Sequence, residues 1–242
     1  MANKAKSSKG NERDRRARVE AMRREQLARE RRKSMIIVVV AVIVGAGLVI
    51  AAALPAYLSK RNDPAKKSLS SFGVSASAAS CNAVKTTDGT NTDALRKHVA
   101  DGTKEKYKTV PPSYGPHWAT PVLSSRPFYT AKDRPEMEQL VHNLEHGYTI
   151  VWYDSTIKGD QLTALKDLSA SARTRDETAP AKFIVSAWDD AYGKFPSGKH
   201  IGISHWGAAD SHIQLCGKVS GEVVTDFIKK YPARDSPEPT AA

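Results

Sequence analysis

Of the seven histidines in this chain, three fall between Pro111 and Asp154, together with three glutamates. If the run EMEQLVHNLEH from Glu136 to His146 is helical, His142 and His146 stand one turn apart on one face, a spacing that lets both imidazoles reach a single ion. Glu138, four residues before His142, shares that stripe, and Glu145 lies beside it. His117 closes the segment PPSYGPH, where Pro112 and Pro116 stiffen the backbone and Gly115 permits a tight turn. A pre-ordered loop holds a lone side chain against a helix at little entropic cost, which makes His117 the natural third ligand. The fourth position then falls to Glu138, Glu145, water or a substrate. Imidazole-rich ligands suit zinc or copper, and zinc with an open position would activate water with Glu145 as general base.

The same residues admit a second reading. His142 and Glu138 could form a buried hydrogen-bonded network, with His146 satisfying carbonyls at a helix end beside Gly147. Metal-free acid and base catalysis is a third. The residue after His142 is Asn143, so this is not the HExxH pattern of a zinc protease, and no GxSxG, phosphate-binding glycine run or c-type haem attachment motif is present. His98, His200, His205 and His212 carry no comparable spacing. His205 alternates with Ile203 and Ile201 on an expected strand, and the four tryptophans suit either core or pocket walls.

Around these residues the pattern predicts an α+β domain, a small mixed sheet with packed helices. Thr92 to Ala100 is expected as a short helix. The prolines from Pro111 to Pro127 make Val110 to Phe128 an extended loop that cannot be helical. Pro135 suits the first turn of the helix ending at His146, which Gly147 stops. Tyr148 to Tyr153 reads as a strand, Asp160 to Ala170 as a helix, Lys182 to Trp188 and His200 to Trp206 as strands, Ile213 to Cys216 as a short further element, and Gly221 to Lys230 as a helix with Val224, Phe227 and Ile228 on one face. The strand, helix, strand order implies that Tyr148 to Tyr153 runs parallel to Lys182 to Trp188. The turn-rich AYGKFPSG then suits an antiparallel placement of the next strand against Lys182 to Trp188.

Charge and hydropathy place the domain. The formal charge is +11, but residues 1–34 carry thirteen basic and five acidic side chains, a net of +8, so the basicity is local to a tail. Met35 to Leu54 has no charged residue and, at roughly 1.5 Å per residue, is about as long as a bilayer core is thick. Residues 35–58 are therefore expected to be a transmembrane helix, with 1–34 a cytoplasmic segment and the C-terminal part outside, since the basic flank precedes the helix. A cleaved signal peptide is the rival, disfavoured by the length of both the apolar run and its charged prelude. The tail is rich in helix formers and lacks aromatic residues among its bases, so lipid contact or a simple topology signal is expected and nucleic acid is not. Residues 59–80, rich in Ser and Ala, read as a linker, 81–231 as the globular domain and 232–242 as a polar tail.

Cys81 and Cys216 are the only cysteines. In an extracytoplasmic domain an even pair suits a disulfide, which over so long a loop contributes about 4 to 5 kcal/mol in the chain-entropy account. Free thiols and a metal or redox role are the alternatives.

His98 with Val99, PPSYGPH at residues 111–117, VHNLEHG at residues 141–147, Trp206 with Gly207 ahead of Cys216, and Pro237 with Glu238 together resemble the domain of unknown function 3105 family. That resemblance implies a membrane-anchored protein, mainly of actinobacterial type, with these motifs marking its architecture and site, and it implies no activity. Tyr114 departs from the small serine frequent before the glycine, and His205 departs from the small residue usual before WG. Two function classes follow: a metal-binding extracytoplasmic protein, as enzyme, sensor or carrier, or a non-enzymatic accessory subunit of a membrane or envelope complex in which the His/Glu cluster is structural.

Overall fold

The computed structural model describes residues 2–61, 63–123, 126–173 and 182–241. The chain divides into two units, residues 1–62 and 63–242. The first is a single helix, α1 (Ala2–Arg61), which runs unbroken from the basic segment into the apolar run and on through Pro55. From Met35 to Leu58 its apolar side chains are exposed all round, as at Ile36, Val42 and Leu48. A helix apolar on every side and covered by no protein is a candidate membrane span, and one such helix occurs among the described residues.

The second unit is built on a six-stranded mixed sheet, so the α+β expectation holds. In chain order its strands are β1 (Lys85–Asp88), β4 (Phe128–Tyr129), β5 (Thr149–Tyr153), β6 (Phe183–Ala187), β7 (Ile201–Trp206) and β8 (Asp210–Cys216), and their spatial order is β1-β8-β7-β5-β6-β4. A parallel pair, β2 (His98–Val99) and β3 (His117–Trp118), stands apart from the sheet. The helices are α2 (Met137–Glu145), α3 (Gly159–Arg173) and α4 (Gly221–Lys230).

Strand alternation explains the layers. On β5, Val151 and Tyr153 join a core with Leu165 and Leu168 of α3 and Val224 and Phe227 of α4, whereas Ile150 and Trp152 face Leu140, Val141 and Leu144 of α2. Every residue of β5 is buried, as a central strand covered on both faces requires. As expected, β5 and β6 are parallel, with Thr149 opposite Phe183. The next strand differs from expectation: β7 is antiparallel but pairs with β5, Ile150 opposite Ser204, and not with β6. The free side of β6 is taken instead by β4, which emerges from the proline-rich loop with Phe128 opposite Val185.

Two other expectations are corrected. Residues 92–100 are not a helix; Leu95 and Arg96 close a turn on the carbonyl of Thr92, and His98 and Val99 then pair with β3. A nine-residue helix is marginal without an apolar face to bury, and Leu95 and Val99 alone supply almost none. Nor is the stretch read as a linker free of the core, because Leu69, Phe72 and Ala79 are buried in the cluster that includes α3 and α4. Three apolar anchors at irregular spacing on short 3-10 turns do the packing that no regular period announces. Cys81 and Cys216 are joined, S–S 1.98 Å, fixing that segment to the end of β8.

The proline loop lies directly on the sheet. Gly202 of β7 has no side chain where Pro111 rests: a Cβ there would meet the proline ring at 2.8 Å. That close approach sets Ser113, Tyr114 and His117 in buried positions above the sheet and beside α2.

Candidate metal centre

Helix α2 is started by a capping box, in which the Glu136 side chain accepts from the backbone N–H of Gln139 while the Gln139 side chain reaches back to Glu136. It ends at His146, followed by Gly147 at φ +90°. Across this helix the ring centroids of His142 and His146 are 4.4 Å apart, and their Nε2 atoms face each other at 3.0 Å. The spacing read from the sequence therefore does converge.

His117 reaches the same place from β3. Its ring centroid is 4.7 Å from that of His142, and its side chain is fully buried. Its Nδ1 donates to the carbonyl of Gly115 at 2.8 Å, and its Nε2 lies 2.9 Å from Glu145 Oε2. In the same way His142 Nδ1 donates to the carbonyl of Trp118 at 2.7 Å. A carbonyl can only accept, so both rings carry their proton on Nδ1 and turn Nε2 inward.

The register of β2 against β3 adds a fourth group. His98 sits opposite His117, with ring centroids 4.9 Å from His117 and 4.8 Å from His142, and its Nε2 is 3.7 Å from Glu145 Oε2. One ligand atom each from His98, His117, His142 and Glu145 lies within 4.8 Å of the others. His98 is half exposed, so the cluster opens to solvent on that side. Glu145, His146 and Glu238 form an adjoining group that shares the Glu145 carboxylate.

Of the residues singled out in the sequence, His117, His142 and Glu145 come together and His146 stands beside them, but Glu138 does not join. Its Oε1 instead accepts from the backbone N–H of Glu105 and from the Tyr192 hydroxyl, under the segment that crosses the first turn of α2. Sharing a helical stripe placed Glu138 on the right face but one turn too early. His98, Arg96 and Glu238 were not legible as site residues from spacing. The only sign of His98 and Glu238 was the placement of HV and PE in the resemblance, and Arg96 had none.

The electrostatics follow from this crowding. Burial, then the neighbouring rings of His117 and His146, press His142 down to about 4, so it is neutral at ordinary pH. Burial pushes the Glu145 carboxyl up, but its contacts with His117 and Arg96 outweigh that and hold the group at about 2. The Arg96 guanidinium bonds Glu145 Oε1 through Nε at 2.8 Å and also grips Glu238. Glu145 is thus a permanent anion facing inward-turned ring nitrogens.

The remaining histidines serve the frame. His205 is buried and bonds the carbonyl of Asp235, His212 stacks on Tyr231 and bonds Asp210, and His200 pairs with Asp154 near the surface. Trp152 and Trp206 are core residues, the latter meeting the His117 ring edge-on at 5.9 Å.

Compared with known proteins, residues 98–242 match the family model described as protein of unknown function (DUF3105). No curated protein and no solved structure matches the chain. The matched region contains β2, β3, α2 and Glu238, hence every residue of the cluster.

Proposed function

The chain belongs to the DUF3105 family, whose description assigns no activity, and from the site itself we propose a membrane-anchored, extracytoplasmic metal-binding protein. Its centre is His98, His117 and His142 with Glu145, and the ion is zinc or copper. The observation that carries this reading is the pair of Nδ1–H bonds to Gly115 and Trp118, which leave the buried Nε2 atoms of His117 and His142 as lone pairs, the first 2.9 Å from Glu145 Oε2 and the second 3.0 Å from His146 Nε2, inside one cluster of ligand atoms. Outer-shell carbonyls of this kind orient metal-ligating imidazoles. Three nitrogens and one carboxylate oxygen are a donor set suited to a tetrahedral ion of that type.

Glu145 is better placed as ligand than as general base, since both its oxygens are already engaged, one with Arg96 and one facing His117. His146 stands beyond the four, and its 3.0 Å contact is with the His142 Nε2 lone pair itself, which His146 would have to release for His142 to bind the ion. When bound, the ion would supply Lewis acidity. The protein's own part is to hold the ligands, keep His142 neutral and leave the His98 side open. The apolar helix α1 would anchor the chain, its basic flank in the cytoplasm, and the Cys81–Cys216 disulfide suits an oxidising compartment on the other side.

A second reading rests on the 2.9 Å contact between His117 Nε2 and Glu145 Oε2. With Nδ1 already donating, that contact needs a cation between lone pairs, and a proton on His117 would serve as well as a metal. The cluster would then be a structural ion pair in an accessory subunit of a membrane complex. Elemental analysis separates the two. The full-length chain, made in an oxidising compartment and purified in detergent without chelator, should hold about one zinc or copper ion per chain. His117→Ala and His142→Ala should hold none. A wild-type chain that neither carries nor takes up either metal would leave the proton reading in possession.

A further inference from the structure

The two ligand groups share Glu145, and the second of them, Glu145 with His146 and Glu238, is already spanned by a cation. Arg96 Nε bonds Glu145 Oε1 at 2.8 Å, and its terminal nitrogen bonds Glu238 Oε1. Glu238 Oε2 lies 3.7 Å from His146 Nε2, and the Glu238 backbone N–H donates to the Glu145 carbonyl at 3.0 Å. The segment carrying Glu238 is further tied down by Lys182, whose ammonium donates to the carbonyls of His146, Pro239 and Ala241. A carboxylate is therefore brought to the centre by the C-terminal segment and fastened there.

Resting on the proposed metal reading, we infer that this is a second cation position and that Arg96 is its resident, so that Arg96 limits the centre to one metal ion. The charges support it. Glu145 and Glu238 bring two negative charges and Arg96 returns one positive charge, so a single divalent ion bound by Glu145 already takes the sum from −1 to +1, and a second beside Arg96 would take it to +3. A second divalent ion between Glu145, His146 and Glu238 would bridge through the same carboxylate, as paired sites do, but would have to displace a guanidinium that binds both acids at once. Arg stays charged at any accessible pH, so the position is closed unconditionally.

The test is metal stoichiometry of the full-length chain in detergent, titrated with zinc alone and read by elemental analysis after gel filtration. Wild type and Arg96→Lys, which keeps the charge, should bind about one ion per chain, and Arg96→Met should rise to about two. Adding Glu238→Gln to Arg96→Met should return the ratio to one. A purely structural arginine would lower the melting temperature in Arg96→Met without raising the ratio, and that result overturns the inference while leaving the mononuclear reading standing. A wild-type ratio of two also overturns it alone. A wild-type ratio of zero overturns both. If Arg96→Met does not fold, Arg96→Gln, which keeps a neutral donor at the position of Nε toward Glu145, serves in its place with the same expected rise.

Discussion

Replacing Glu145 by glutamine changes one oxygen for an NH2 group and leaves the shape of α2 intact, so its effect isolates the charge. The side chain is 1% exposed and meets the Arg96 guanidinium at 2.8 Å and His117 Nε2 at 2.9 Å. Removing one partner of a fully buried pair costs about 3 to 5 kcal/mol. Arg96 is 30% exposed and keeps Glu238, so part of its charge is recovered by water and by that carboxylate. The expected loss is accordingly below that range, about 2 to 3 kcal/mol, or roughly 5 to 10 °C in Tm for a domain of this size. Thermal melts of the full chain in detergent, run in EDTA, read this directly. A second set with added zinc should stabilise wild type and leave Glu145→Gln unmoved, because the variant lacks the anionic ligand. A fall of less than about 2 °C with zinc stabilisation intact would refute the reasoning, since neither the charge nor the ligation would then matter.

Acid should destabilise the metal-free domain in two steps. His142 is held at about 4 against an ordinary 6.5, so the unfolded chain takes the proton first and stability falls as pH drops from about 6.5 to 4, by about 3 kcal/mol; Glu145, held at about 2 against 4.5, adds a loss of the same sign lower down. Urea midpoints against pH, with His142→Asn removing the upper step, check this. Gly147→Ala should loosen the C-terminal segment, because a Cβ at φ +90° would meet the Ala233 carbonyl at 2.3 Å; limited proteolysis should then cut within 233–241 faster than in wild type. Changing Cys81 and Cys216 to serine together should cost about 2 to 5 kcal/mol, read as a lower urea midpoint, with metal uptake retained since neither cysteine belongs to the ligand groups and both pack in the core with α3 and α4.

The apolar run of α1, the capped helix ending in HNLEH and the parallel pair β5 and β6 could all be read in advance, because each is set by a local rule: a length of uncharged chain, a 3.6-residue period, a strand, helix, strand order. The His142 and His146 pair belongs with them, since the helix alone fixes that distance. His117 was reachable as a candidate because two prolines and a glycine mark a stiff loop, yet its arrival at α2 depends on Pro111 resting where Gly202 has no side chain. The burial of Leu69, Phe72 and Ala79 escaped notice for want of any period.

What tertiary structure alone decided is the membership of the centre. His98 enters through two residues of parallel pairing with β3, Arg96 through the turn just before it, and Glu238 through a segment fastened by Lys182. Glu138, on the predicted face, is turned to Tyr192 because a different segment crosses its turn of the helix. A helix period fixes which side chains share a stripe, but only the chain segments laid across that stripe determine which of them share a site.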